Sequence, residues 1–332
     1  MSCAYLAFTD RGLALAHRLA QAQPGTVDRC GKDGVRLGDW TSRNFARCNA
    51  LVFVGAVGIA VRAIAPHCRS KATDPAVVVV DEAGQFAIPV LSGHLGGANA
   101  LARTLAAACG AVPVITTATD VRGVFAVDEW AKQAGCAVLE PERIKQVSGR
   151  LLAGEPVGFW SEFPVNGTPP AGVSPAPAQQ QADFALTLFP QGEGLHLVPV
   201  IGVLGVGCRR GTTAQQLEAA FAAFCARYAL SPRCIRAAAS IDLKQNEAGL
   251  LEFCAAHRWA VSFYSAGQLK AVPGSFTPSA FVCSVTGVDN VCERAAALAA
   301  GGTIRIPKQA ADGVTFALAL RPYAPDWRNQ NG

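Results

Sequence analysis

The chain has 332 residues, 51% of them hydrophobic and 16% charged, enough for two or three compact domains with large cores. A net charge of +5 without Lys/Arg runs, and 8% aromatics, argue against nucleic-acid binding and suit a small polyanionic ligand. No apolar run reaches membrane length, the N-terminus lacks a basic leader pattern, and the 12 cysteines form no C-x-x-C pair; a cytoplasmic protein with reduced thiols, no membrane association and no protein-held metal is expected.

In chain order, 4–8 reads as a strand, 12–22 as an amphipathic helix, and 50–54 as a strand running into Gly55-Ala56-Val57-Gly58-Ile59-Ala60-Val61-Arg62. Val77-Val78-Val79-Val80-Asp81 has the unbroken apolar character of a buried strand, and Asp81-Glu82-Ala83-Gly84 that of a hairpin turn. Strands at 86–89 and 112–116 and helices at about 97–109 and 127–134 follow. This alternation predicts an α/β fold whose first domain, 1–135, is doubly wound, Rossmann-like and mostly parallel. Ligands then bind beyond the strand carboxyl ends, where Gly55, His94 and Thr116 are expected together.

Residues 136–199 read as a small linking insert. Strands at 157–163, 184–189 and 195–200 flank a Pro/Gly/Ala/Gln-rich connector at 164–181. From 200 to 325 a second α/β domain with a mixed sheet is expected. Its strands fall at 200–205, 235–240 and 259–264, and its helices run to about 228, from about 247 to 257, and from about 290 to 300, stopped by Gly301-Gly302. Thr213 with Gln216 and Ser265 with Gln268 have capping-box spacing, and Glu293 is expected to help cap its helix. Strands at 303–307 and 314–320 form a closing hairpin around Ala311-Asp312-Gly313.

The strongest chemical signal is Leu91-Ser92-Gly93-His94-Leu95-Gly96-Gly97-Ala98-Asn99, an imidazole in a glycine-rich loop before a helix. Glycines let the backbone approach a ligand, and the helix start offers free N–H groups to an anion. The positive end of the helix dipole is expected to keep His94 neutral, able to accept a proton near pH 7. Val112-Pro113-Val114-Ile115-Thr116-Thr117-Ala118-Thr119-Asp120 adds a strand running into a hydroxyl-rich turn that ends in a carboxylate.

Together with 74–81, these segments resemble the CbiG family, the cobalt-precorrin 5A hydrolases of anaerobic cobalamin biosynthesis. Gly205-Val206-Gly207-Cys208-Arg209-Arg210-Gly211-Thr212, Ser240-Ile241-Asp242-Leu243-Lys244-Gln245-Asn246-Glu247 and Gly287-Val288-Asp289-Asn290-Val291-Cys292-Glu293-Arg294-Ala295-Ala296 extend the likeness to most of 51–320. The first fifty residues match the family's opening only loosely, and the insert carries no anchored motif. The last domain is also similar to CobE-type proteins.

The resemblance implies a cobalt-corrinoid substrate with many carboxylate arms and a ring-junction δ-lactone, which is opened with loss of a two-carbon fragment as acetaldehyde. Cobalt travels with the substrate, so no cofactor of the protein's own is expected. This chemistry needs an aimed water, donors for an oxyanion, a proton acceptor and cations for the acidic arms. His94 is the first candidate base, Asp120 orients it or acts alone, and Glu247 is a further catalytic candidate. In the first domain Gly55, Gly58, Arg62, Lys71, Asp74, Ser92, Gly93, Gly96, Gly97, Asn99, Thr116, Thr117 and Thr119 are candidate substrate-binding residues. In the last domain these are Gly205, Gly207, Arg209, Arg210, Thr212, Lys244 and Lys308. Asp242-x-Lys244-x-x-Glu247 reads equally well as an ion-pair network. His17, His67, His196 and His257 read as surface or satisfied core histidines.

Two other classes compete. A carrier of corrinoid intermediates would need no positioned base, so His94 and Asp120 separate it from an enzyme. A nucleotide-dependent Rossmann enzyme is weakened by the incomplete glycine fingerprint around Gly55. A homodimer, or hand-over to neighbouring pathway enzymes, stays open as the protein partnership.

Overall fold

The computed structural model describes residues 2–31, 34–70, 73–94 and 96–328, which form two units. One holds the described chain up to Gln133 plus Ile144–Glu155; the other holds Ala134–Arg143 and Pro156–Arg328.

The first unit is built on β1 (Cys3–Ala7), β2 (Gly25–Arg29), β3 (Ala50–Val54), β4 (Ala76–Val80), β5 (Phe86–Leu91) and β6 (Val112–Pro113), in the order β2-β1-β3-β4-β5-β6. Its helices are α1 (Asp10–Ala22), α2 (Leu37–Arg47), α3 (Val57–Ile64), α4 (Ala98–Cys109), α5 (Ala118–Arg122), α6 (Val127–Gln133) and α7 (Ile144–Leu152). Leu15 and Leu19 of α1 and Leu101 and Leu105 of α4 pack on one sheet face with Tyr5, Val52, Val54, Val78 and Val80. Trp40 of α2 and Ala60 and Ile64 of α3 pack on the other, with Leu6, Leu51, Phe53, Val77 and Val79. Burial on both faces explains why the valine strand is continuous rather than alternating.

One pairing sets the site. All neighbours in this sheet are parallel except β4 and β5, which are antiparallel, with Val79 opposite Ile88. The Asp81 carboxylate makes the turn, accepting from the backbone N–H groups of Ala83, Gln85 and Phe86, and Gly84 takes φ +68°. Chain direction therefore reverses at β5. Its carboxyl end lies at the edge where β1, β3 and β4 begin.

The second unit carries two sheets. β7 (Cys136–Val138), β8 (Val157–Ser161), β9 (Val173–Pro175), β10 (Phe184–Leu186) and β11 (Leu195–Pro199) assemble as β7-β11-β10-β8-β9, so the insert is a sheet of its own rather than a connector. β12 (Gly202–Cys208), β13 (Ile235–Ile241), β14 (Ala260–Tyr264), β15 (Thr303–Ala311) and β16 (Val314–Leu320) form β14-β13-β12-β16-β15, parallel through β12 and antiparallel beyond it. Helices α8 (Ala214–Tyr228), α9 (Ala248–Ala256), α10 (Ala266–Lys270), α11 (Ala280–Thr286) and α12 (Cys292–Ala300) complete it. Both expected capping boxes form, at Thr213 and Ser265. Asp312 and Gly313 at φ +52° and +81° close the terminal hairpin.

Several expectations change. The first helix begins at Asp10 because Thr9 caps it, accepting from Gly12 N–H at 3.0 Å. The 112–116 strand stops at Pro113, and Thr119 and Asp120 lie on α5. Glu293 is no cap. Asn290 Oδ1 caps α12 by accepting from Glu293 N–H, while the buried Glu293 carboxylate receives Thr277 and the Lys308 N–H. No helix among the described residues is long and apolar enough to cross a membrane.

Candidate functional site

The loop between β5 and α4 folds tightly on itself. Ala98 N–H donates to the Ser92 carbonyl at 3.1 Å and Asn99 N–H to that of Gly93 at 3.0 Å. Ser92 sits at φ +57°, a strained value for a residue with a side chain, and its hydroxyl donates to the Asp74 carbonyl at 3.0 Å. Gly97 takes φ +88°, and a Cβ on Gly96 would overlap the Ser92 side chain, so both glycines are required by this backbone alone. The Asp74 carboxylate pins its own loop, accepting from Arg69 and Ser70 N–H. Leu95 and the predicted Lys71 lie outside the described residues.

That geometry brings His94 against α5 and α6. His94 Nε2 lies 2.9 Å from Asp120 Oδ2 and 3.3 Å from the Thr119 hydroxyl. Nδ1 lies 3.2 Å from Asp128 Oδ1, within ion-pair range although that oxygen receives no well-aligned hydrogen bond. Asn99 Nδ2 donates to Thr117 Oγ1 at 2.8 Å and to Asp120 Oδ2 at 3.1 Å, and Arg103 donates to Asp120 Oδ1 at 2.9 Å. The side chains of His94, Asp120 and Asp128 are 13%, 11% and 7% exposed, so these charges meet in a largely dry setting.

The electrostatics overturn the expected neutral imidazole. Burial lowers the His94 pKa, but Asp128 and Asp120 together outweigh it and hold it up at about 9. Two facing carboxylates win over a helix-end partial charge, and His94 is an imidazolium at pH 7. Burial also works against ionised Asp120, yet His94 and Arg103 keep its carboxyl below the ordinary range. Glu129 differs. Burial pushes its carboxyl up, and its ligand atom falls with those of His94 and Asp120 in a set mutually within 4.8 Å. Such a trio has metal-ligand chemistry, but the Arg103 guanidinium on Asp120 and the proton on His94 compete with a cation.

Sequence reasoning missed Arg103, Asp128 and Glu129. Arg103 lies one helical turn after Asn99, on the same face of α4. The other two form an acidic pair flanked by Phe125-Ala126-Val127 and Trp130-Ala131, all buried, and acids inside so apolar a stretch were the available signal. A cleft of about 600 Å³ opens beside the glycine loop, lined among others by Asp74, Gly96, Gly97, Thr104 and Lys132, with none of the cluster's charged side chains in its wall. Its size suits a small-molecule side group.

The expected grouping of Gly55, His94 and Thr116 does not form. Gly55 follows β3 at the carboxyl edge of the parallel strands, whereas His94 follows the reversed β5 at the opposite edge. Gly55, Gly58 and Arg62 are thus apart from the cluster; a Cβ on Gly55 would press on the Phe8 ring, which accounts for that glycine. Thr116 and Thr117 do lie on the His94 side, because β6 runs parallel to β5; Thr116 is exposed.

In the second unit, Gly205 and Gly207 are close-packed against the Cys292 carbonyl and Thr315. Arg209 and Arg210 are exposed in the loop after β12, and Thr212 Oγ1 donates to the Arg209 carbonyl at 2.9 Å. Glu247 accepts from Lys244 Nζ at 2.9 Å and from Gly211 N–H at 2.6 Å, which hold its carboxyl below the usual range. Lys308 is half-buried, its N–H on Glu293. His196 is buried with its ring nitrogens 3.1 Å from Glu140 and 3.0 Å from the Gln191 carbonyl, a satisfied core histidine.

Family models place the chain. Residues 39–120 match the cobalamin synthesis G N-terminal model, 125–188 the cobalamin biosynthesis central region, and 202–319 the cobalamin synthesis G C-terminus. The chain is 35% identical to the cobalt-precorrin-5A hydrolase of Salmonella typhimurium, across 96% of this chain and 97% of that one. It is 34% identical to the Priestia megaterium protein of the same name, across 84% and 80%. Protein CobE of Sinorhizobium sp is 34% identical over 35% of this chain and 78% of its own. A cobalamin biosynthesis protein G homolog from Sulfolobus solfataricus aligns over 97% of each chain at 20% identity, with a TM-score of 0.43.

Proposed function

The chain belongs to the cobalamin synthesis G family, alongside the cobalt-precorrin-5A hydrolases, and on that premise we propose that it opens the ring-junction δ-lactone of cobalt-precorrin-5A at the His94 cluster and expels the two-carbon fragment as acetaldehyde. The observation that carries the reading is the buried imidazolium between Asp120 and Asp128, beside a third carboxylate at Glu129. A carrier needs no positioned set of opposed charges in a dry setting, whereas perturbed proton affinities of this kind gather where protons are moved.

Each part has work in the proposed reaction. Positive charge on His94 and Arg103 favours a carbonyl oxygen turning anionic. The Thr117 hydroxyl accepts from Asn99 and gives its own proton to Asp120, so it helps hold that carboxylate ionised and in place. Asn99 and Arg103 anchor Asp120, and Asp120 and Asp128 fix the imidazole plane. Cobalt enters as part of the substrate, and no cofactor of the protein's own takes part in this reading. A reducing cytoplasm, with substrate handed on by neighbouring pathway enzymes, belongs to the same reading; the twelve cysteines all being free supports it.

The test is to incubate the purified protein with cobalt-precorrin-5A, trap acetaldehyde and weigh the corrinoid by mass spectrometry. Stoichiometric acetaldehyde with a matching mass loss is expected. A corrinoid that binds tightly and returns unchanged would contradict the reading and favour a carrier.

A further inference from the structure

We propose that Glu129 is the proton acceptor of lactone hydrolysis, the group that takes a proton from the attacking water. This rests on the hydrolase reading above and assigns within it a role that the histidine cannot fill. Both His94 nitrogens face carboxylates, Nε2 toward Asp120 at 2.9 Å and Nδ1 toward Asp128 at 3.2 Å, so the ring offers no lone pair to a water. Asp120 is saturated: Oδ1 receives Arg103, and Oδ2 receives His94 and Asn99. Asp128 is buried and turned to the imidazole.

Glu129 is left. It is half-buried, its ligand atom lies within the 4.8 Å set with His94 and Asp120, and its carboxylate makes no hydrogen bond or ion pair among the described residues. Burial and the like charges of Asp120 and Asp128 raise its affinity for a proton, while His94 and Arg103 oppose that without cancelling it. Lys132, one turn along α6, is the remaining cation that faces it, and burial weakens that ammonium. A carboxylate raised toward neutrality and free of partners is suited to take and return a proton.

The step balances without a further reactant. One water O–H bond breaks and its proton passes to a Glu129 oxygen. The water oxygen bonds to the lactone carbonyl carbon, and the carbonyl π pair moves onto oxygen. Collapse of this adduct breaks the ring C–O bond. The alkoxide so formed takes the proton back from Glu129, leaving a free carboxyl, a hydroxyl and the original Glu129 carboxylate.

The test compares wild type with Glu129→Gln and Glu129→Ala in single-turnover lactone opening of cobalt-precorrin-5A, with corrinoid binding and thermal midpoint as controls. Glu129→Gln should bind as wild type does but open the lactone about 10²- to 10⁴-fold more slowly. Its residual rate should climb with hydroxide concentration, having lost the wild-type acidic limb. Formate should restore part of the rate in Glu129→Ala and none in Glu129→Gln. Wild-type turnover together with a Glu129→Gln rate within about threefold of it would overturn the Glu129 role alone. A wild type that never opens the lactone would overturn the hydrolase reading itself.

Discussion

The His94 cluster in the first unit and the Lys244–Glu247 pair in the second are both glycine-flanked and charged, yet they are built in opposite ways. The first lies at the amino edge of its parallel strands, brought there by the antiparallel turn of β4 into β5, and combines three acids with two cations in a largely buried space. The second lies at the carboxyl edge of β12 and β13, where Glu247 is neutralised by Lys244 and Gly211 and the surplus charge, Arg209 and Arg210, points to solvent. A buried surplus of carboxylate perturbs proton affinities, the condition for moving protons. An exposed surplus of guanidinium grips carboxylates and moves nothing. On the proposed function, this contrast puts the chemistry at the first cluster and the holding of acidic groups at the second.

The largest expected effect comes from His94→Ala. It leaves Asp120 and Asp128 buried without their shared cation, so turnover should fall by at least about 10²-fold and folding stability by about 3–5 kcal/mol. Both appear in one preparation, by acetaldehyde release and by denaturant unfolding. Part of the stability should return at low pH, where the orphaned carboxylates protonate; an unchanged midpoint would break the idea of an imidazolium clamp.

The clamp also fixes a pH dependence. His94 binds its proton more tightly folded, at about 9 against 6.5 unfolded. The stabilisation it gives is complete below the lower value and is lost as pH rises through the upper one. Thermal midpoints should therefore decline across that window in wild type and stay flatter in His94→Ala. An NMR titration of the His94 ring reads the same value directly.

Arg103→Met sharpens the comparison at smaller amplitude. The guanidinium is 39% exposed, so its loss should cost about 1 kcal/mol or less of stability. Asp120 should then titrate higher, and turnover should fall severalfold with binding nearly intact. In the second unit, Arg209→Ala and Arg210→Ala should each weaken corrinoid binding, by about 1 kcal/mol at exposed positions, and should flatten its salt dependence. The rate of the bound fraction should not move.

Much of the fold was legible because burial writes itself into composition. Val77–Val80, packed on both faces, reads as a strand without alternation, and Thr213 and Ser265 announce their helices through side-chain caps. β2 was not legible, because Gly25–Arg29 is a half-exposed edge strand with no apolar pattern. The turn at Asp81 was legible, but its consequence, the reversal that carries His94 to the amino edge, belongs to the sheet as a whole. The cluster was half legible. His94, Asn99, Thr117 and Asp120 stand in two conspicuous sequence motifs, while Asp128 and Glu129 look in sequence like acids at a helix start, complementing its dipole. Only the tertiary approach of α6 turns them toward His94, and that approach reverses the imidazole's charge.

The central claim is that protons move at the first cluster and not at the second. Single-turnover conversion of cobalt-precorrin-5A by Glu247→Gln and by Asp120→Asn, at saturating protein, tests it with one isosteric change in each. The account predicts that Glu247→Gln converts bound substrate within about threefold of the wild-type rate, while Asp120→Asn is slower by about 10²-fold or more. The reverse order, with Glu247→Gln arrested and Asp120→Asn active, would contradict it.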